Sequence, residues 1–416
     1  MKFKETKIGT IPNSWEVKPI KEITEIVTDY VANGNFASLA ENVTYKDEED
    51  VAVLIRLVDY NNDFQGKFVF IDEHAYEFLG KSKLYGDEII ISNVGANVGT
   101  VFRCPKLKYK MSLAPNSIMV KFKGNDDFYF HWLRGYNGQQ MLKSIVTGSA
   151  QPKFNKTNFK EMLVPVPPIK EQNKIAAILN TIDEKISINK KINNNLEQQA
   201  QAIFKAWFVD FEPFGGELPN DWKHTKLGTS CNCVLGGTPS RNKIEYWNGT
   251  IPWINSGEVN KFRIIKPSET ITNLGLEKSA TKLLPTKTTV LAITGATLGQ
   301  VSLLEIDACA NQSVVGIIPN DNLPYEYIYP LIKQNIAELV SNQTGGAQQH
   351  INKQNVENLD IVIPPYTYLA KYQNTVCSIY EMIANNCFEN ERLSSLRDNL
   401  LPKLMSGELD VSDIDL

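Results

Sequence analysis

The sequence predicts an α+β protein in which two similar mixed α/β domains are joined by two long, antiparallel, coiled-coil-like helices related by a pseudo-twofold internal repeat. Three observations carry this expectation. A stretch of 22 residues recurs without a gap 197 positions later, a heptad-spaced apolar seam follows each copy, and short β-rich runs fill the space between.

The repeat comes first because it sets the architecture. TGSAQPKFNKTNFKEMLVPVPP (147–168) lines up with TGGAQQHINKQNVENLDIVIPP (344–365), sharing Thr, Gly, Ala, Gln, Asn, Lys, Asn and both final prolines. Upstream, IPNSW (11–15) matches LPNDW (218–222), and APNSIMV (114–120) resembles CANQSVV (309–315). ISNVGANVGTV (91–101) and AITGATLGQV (292–301) share a Gly-x₃-Gly spacing at Gly95/Gly99 and Gly295/Gly299. One plan is used twice.

The seams follow each Pro-Pro. Ile175, Leu179, Ile182, Ile186, Asn189, Asn193, Leu196, Ala200, Ile203 and Trp207 recur at spacings of four and three. Their equivalents are Tyr372, Val376, Ile379, Ile383, Asn386, Asn390, Leu393, Arg397, Leu400 and Leu404. Each seam places two asparagines mid-helix, where an amide costs stability unless a polar partner meets it, and so fixes register. Helices lying antiparallel let the two pairs meet. The expected pairing residues are Ile182, Ile186, Asn189, Asn193 and Leu196 against Ile379, Ile383, Asn386, Asn390 and Leu393. At ~1.5 Å per residue, each helix of about 38 residues spans roughly 57 Å, enough to set a separation of ~34–36 Å between half-sites on DNA.

Between the anchors, runs at 51–60, 67–71, 87–92, 98–103 and 117–122 read as strands, as do 250–255, 288–294, 299–306 and 313–319. Residues 127–146 and 324–340 read as helices. The Gly-x₃-Gly loops lack the Gly-Lys-Ser/Thr of a nucleotide P-loop and read as tight turns. They carry Ser92, Asn93 and Asn97 in one half and Thr294, Thr297 and Gln300 in the other, while the matching loops carry Gln151 and Lys153, and Gln348 and His350. Amides can bind adenine edges bidentately and lysine can bind guanine or phosphate, so these ten residues are the candidate DNA contacts.

Bulk properties narrow the class. No apolar run approaches the roughly 20 residues of a membrane helix, and the N-terminus lacks a signal-peptide core. A cytoplasmic protein is expected. The six scattered cysteines suit reduced thiols, and Cys231-x-Cys233 with His224 lacks the second ligand pair that zinc requires, so no metal is expected. The net charge of −4 argues against a stand-alone DNA binder, but residues 366–416 hold 4 basic against 8 acidic groups and account for it. The remainder is neutral, and such a chain needs a partner to supply cationic surface.

The residues also resemble a known family. PPIKEQNKIAAILNTIDEKI…LEQQAQAIFKAWFVDFEP (167–213) looks like the central helical region of specificity subunits of type I restriction-modification enzymes, and LRDNLLPKLMSGELDV (396–411) like their C-terminal helix. IPNSW and LPNDW resemble the starts of two target-recognition domains, and NQS (311–313) a segment within them. Two departures stand out: Tyr366-Thr-Tyr follows the second Pro-Pro where Glu-Gln is usual, and Asn116-Ser117 stands where the second half has Asn311-Gln312-Ser313. The resemblance implies recognition domains at 1–166 and 209–364, spacer helices at 167–208 and 365–406, and a tail at 407–416. It implies a non-catalytic subunit that reads a bipartite asymmetric DNA site and docks two modification subunits on its helices, with two restriction subunits completing the complex. S-adenosylmethionine, ATP and Mg are then expected on those partners and no cofactor on this chain.

Two other readings compete with this one. Ile363-Pro-Pro-Tyr366 resembles the Asn/Asp-Pro-Pro-Tyr tetrapeptide of adenine methyltransferases, but isoleucine cannot hydrogen-bond the target amino group and the repeat supplies Val166-Pro-Pro-Ile169 as a parallel without that chemistry. A two-headed scaffold for other proteins is disfavoured only by the family resemblance.

Overall fold

Each apolar seam folds as one uninterrupted helix, here called a rod: Ile169–Phe208 and Tyr366–Met405, 40 residues apiece in the computed structural model. Both start directly after a Pro-Pro pair, where a residue without an N–H ends the preceding strand at no cost to the helix ladder. The Pro168 and Pro365 carbonyls accept the first-turn N–H groups of Glu171 and Tyr368, each at 2.9 Å. The structure describes residues 2–341, 350–412 and 414.

The chain divides into two units, Met1–Glu184 with Leu393–Leu416, and Lys185–Arg392. Each unit therefore takes one globular head and a part of both rods. In the first unit, Ile175, Ala176 and Leu179 of the first rod and Leu404 and Met405 of the second share a buried core with Trp15, Phe128 and Trp132 of the head. In the second, Ala200 and Phe204 of the first rod and Leu369, Tyr372, Val376 and Tyr380 of the second pack with Tyr327 and Ile332. The rods are built into the head cores, not laid on them.

The two heads have one topology. The first has a mixed sheet in the order Val69–Ile71, Ala52–Ile55, Lys110–Leu113, Lys83–Leu84, in which the central pair is parallel. Beside it stands an antiparallel sheet ordered Thr24–Asp29, Ser117–Phe122, Ile89–Ser92, Val101–Arg103. The second head repeats both: Glu269–Ile271, Trp247–Ile254, Ala308–Ala310, Leu283–Leu284, again with a parallel central pair, and Asn232–Leu235, Val314–Ile318, Thr289–Ala292, Val301–Leu303. Ile89–Ser92 and Thr289–Ala292 are buried at every position, which explains their continuous rather than alternating apolar runs. A two-stranded ribbon in each unit, Glu16–Pro19 with Leu163–Val166 and Lys223–Lys226 with Asp360–Ile363, leads into the Pro-Pro.

Several element boundaries differ from expectation. The run 51–60 is a strand only as far as Ile55, and Leu57–Asn61 turns helical because Asp59, buried, accepts from the Arg56 backbone N–H (2.9 Å) and guanidinium (3.0 and 2.6 Å). Residues 127–146 form two helices, Asp126–Arg134 and Tyr136–Ser144, because Gly135 is extended. The run 324–340 breaks likewise at Asn335 into Tyr325–Gln334 and Ile336–Ser341.

The missing Glu-Gln of the second repeat has a structural consequence. In the first unit the Trp15 indole N–H donates to Glu171 at 2.7 Å, and Gln172 joins the Asn125 N–H (3.0 Å) to the Pro167 carbonyl (2.8 Å). In the second, Tyr368 and Leu369 stand at those positions, and the indole N–H of Trp222 is buried without an acceptor. Trp222 is held instead by ring contacts to Phe208, Phe211, Phe214 and Tyr368. Replacing Glu171 with leucine should therefore destabilise the first unit by about 1–3 kcal/mol, the cost of orphaning a buried donor, read as a lower melting transition. An unchanged transition would show that the Trp15 bond contributes nothing.

Candidate nucleic-acid interface

The Gly-x₃-Gly loops need glycine for backbone reasons: Gly95, Gly99, Gly295 and Gly299 all have positive φ, from 64° to 100°. Each loop is zipped to a second loop from the 147–168 or 344–365 repeat. In the first head, the Gly95 N–H donates to the Pro152 carbonyl (2.9 Å), the Phe154 N–H to the Asn93 carbonyl (3.1 Å), and the Asn93 amide to the Phe154 carbonyl (3.0 Å). In the second head, the Ile351 N–H donates to the Ile293 carbonyl (3.0 Å), and Thr294 bridges His350. Loops more than fifty residues apart in sequence thus form one composite edge per head.

That edge brings together most, not all, of the expected contacts. Asn97, Gln151 and Lys153 are exposed on the first edge, as is His350 on the second, with Thr294 and Thr297 half-exposed. Ser92 is a correction: it lies 2% exposed at the end of its strand, paired with Ser117, and so is not presented on the edge. Asn93 and Gln300 are half-buried, each with its amide oxygen enclosed and unpartnered. Asn93 acts first as the staple between loops. Gln348 lies outside the described residues. Beside the first edge opens a cavity of about 580 Å³ lined by Tyr30, Phe36, Tyr45, Asn93 and Asn116, and Phe36 is itself 83% exposed.

The rods meet through the asparagines of their seams. Asn386 donates its amide to Asn193 (2.8 Å), and Asn189 donates to Asn390 (2.9 Å) and to Glu389 (2.6 Å). As one number rises the other falls, so the helices run antiparallel here. Asn189 and Asn193 are buried, as are Ile182, Ile186 and Ile383 of the seam, whereas Leu196, Ile379, Asn386, Asn390 and Leu393 are half-buried.

Two polar clusters that the periodicity did not reveal tie heads to rods. In the second unit, Glu197 of the first rod accepts from Arg263 (2.8 Å) and Lys333 (2.9 Å) of the head. Burial alone would raise this carboxyl, but the two cations outweigh it and hold Glu197 at about 2. Its stabilisation is present above the unfolded value near 4.5 and is lost as pH falls toward 2. In the first unit, His131 bonds Asn180 (2.8 Å), and Asp183 pairs with Arg134 (3.6 Å) and with Arg397 of the second rod (2.8 Å). The hint was legible only at Arg397, a cation at a seam position where the first repeat has Ala200.

Burial holds His131 below its ordinary value. The folded state thus refuses a proton that the unfolded chain accepts near pH 6.5, so the first unit loses stability as pH falls below that value, by up to about 1.4 kcal/mol per pH unit. Melting at pH 7.5 and 5.5 should show a gap that narrows in His131→Gln. An equal gap in the variant would assign the pH dependence elsewhere.

The remaining chemistry is sparse. Burial pushes the Cys231 and Cys233 thiols up to about 12, away from thiolate chemistry, and among the described residues no group of three or more His, Cys, Asp or Glu is arranged to hold a metal. Nor is any helix among them long and apolar enough to cross a membrane.

Comparison with known proteins agrees with this geometry. The family model described as the type I restriction modification DNA specificity domain matches residues 12–198 and again 219–386. The chain is 28% identical over 432 residues to the type I restriction enzyme MjaIX specificity subunit of Methanocaldococcus jannaschii, covering 99% of this chain and 97% of that one. It is 26% identical to the HindI specificity subunit of Haemophilus influenzae, over 72% and 80% of the two chains. The crystal structure of the type I restriction-modification S subunit from M. genitalium shares the fold, with a TM-score of 0.58 at 14% identity over 95% and 96% of the chains. The chain belongs to the type I restriction-modification DNA specificity family, carries that domain twice, and is a specificity subunit, a component that recognises DNA rather than a catalyst.

Proposed function

We propose that this subunit reads a bipartite, asymmetric duplex DNA target, one half per head, in the cytoplasm. The observation that carries the reading is the duplicated loop edge: two heads of one topology present equivalent but differently furnished edges, Asn97 and Lys153 against Thr297 and His350. Equal scaffolds with unequal side chains suit two unlike half-sites. The rods dock two modification subunits, and two restriction subunits complete the assembly. These partners bring S-adenosylmethionine, ATP and Mg, and they supply the cationic grip that a near-neutral chain lacks.

Mapping methylated adenines in a host carrying the system, with and without this chain, tests the reading. Bipartite sites that vanish with the chain support it, and a methylation pattern indifferent to the chain refutes it. The loop assignment has its own test. Gln151→Ala should relax one half-site only, costing about 1–3 kcal/mol of discrimination at one base pair. Relaxation of both halves, or of neither, would remove Gln151 from the reading edge.

A further inference from the structure

The strongest unassigned feature is the buried charge cluster of the second unit. Arg263 has no exposed side-chain surface, yet it lies on a connecting segment of the head. Its guanidinium donates to Glu197 of the first rod (2.8 Å), the Tyr329 hydroxyl (3.0 Å) and the Phe262 carbonyl (2.8 Å), and lies over the Tyr329 ring. Glu305 stands 3.6 Å from it and is paired with Lys287, while Lys333 completes the set on Glu197. Three cations thus face two carboxylates, with Arg263, Glu197 and Glu305 buried and Lys287 and Lys333 reaching the surface.

The segment that carries Arg263 is itself cross-linked by side-chain bonds. Buried Glu258 gathers the Lys261 ammonium (2.9 Å) and the Ser268 N–H and hydroxyl (3.0 and 2.8 Å), closing the loop across its base. Lys266 on the same loop reaches Glu391 of the second rod at 2.7 Å. One closed loop is therefore fastened to both rods.

We propose that Arg263 and Glu197 are a positioning pair: they fix how the second head is seated on the rods, and through this the placement of the second half-site relative to the first. The inference rests on the bipartite reading above. The physical argument is directional. The apolar contacts of Ala200, Phe204, Tyr372 and Val376 supply attraction but tolerate small slips and rolls. A buried guanidinium–carboxylate bond does not, because any displacement leaves charges unpaired in a low-dielectric site. Stability alone gives no reason for the pair, since well-packed apolar residues of similar volume hold such a contact at least as well.

That last point supplies the test. Glu197→Leu with Arg263→Met keeps volume, removes one charge of each sign, and leaves Lys287 on Glu305. The full-length chain, assembled with its modification subunits, selects sites from a randomised duplex pool, and the spacer lengths are read by sequencing. Wild type should return one spacer length. The double variant should return the same half-sites with spacers one base pair longer and shorter admitted, and about tenfold weaker binding at the original spacing, a loss comparable to one mis-seated base pair. A merely structural role would show at most in the melting transition and leave the spacer distribution single. If the double variant fails to fold, Glu197→Asp, which keeps the charge but withdraws it by one methylene, should broaden the distribution in the same way. A single unchanged spacer in a folded variant overturns the proposal. No bipartite site with the wild-type chain overturns the underlying reading, a separate result because it does not involve the variants.

Discussion

Glu197→Ala should destabilise the Lys185–Arg392 unit by about 3–5 kcal/mol, because it strands the fully buried Arg263 without its carboxylate. For a unit of this size that is a fall of roughly 6–20 °C in its melting transition. Lys333→Ala should cost much less, since Lys333 is about a third exposed and water replaces its partner. Thermal melting of both variants side by side checks the order. Equal losses would mean that Glu197 acts as an ordinary surface carboxylate, and the cluster would lose its place as the anchor of the head.

The second large effect concerns the rods. Seven residues added to each, in register between the head-bound ends and the asparagines, lengthen the paired segment by about 10 Å, or roughly three base pairs of duplex. The asparagine pairs Asn189–Asn390 and Asn193–Asn386 would keep their partners, because a heptad returns the seam to the same face. Methylation mapping should then show the former sites abandoned and the same half-sites used at longer spacing. Retention of the old spacing would show that the rods do not measure DNA.

Much of the fold was legible because it is written in period and repetition. The seam from Ile175 to Trp207 and its copy from Tyr372 to Leu404 announce two helices of nearly the observed length, and the mid-seam asparagines announce their direction. The strands legible in the sequence lie within longer apolar runs, whereas Ala308–Ala310, Lys110–Leu113 and Lys83–Leu84 lack such a run and pair with strands far along the chain. The site was half legible. Glycine spacing located the loops, and the apolar run 87–92 already placed Ser92 at a strand end, but nothing local distinguishes Asn97, which stays exposed, from Asn93, which staples two loops.

By itself, then, the sequence determined the duplication, the rods, their antiparallel register and the two loop pairs, since each depends on residues that repeat or recur at helical spacing. Only the tertiary structure decided that both rods are built into the head cores, that the Trp222 indole N–H finds no acceptor where that of Trp15 finds Glu171, and that Arg263 is buried against Glu197. Those features join residues tens to hundreds of positions apart, and a charge takes its meaning from the dielectric and the neighbours that folding gives it, neither of which is encoded at its own position.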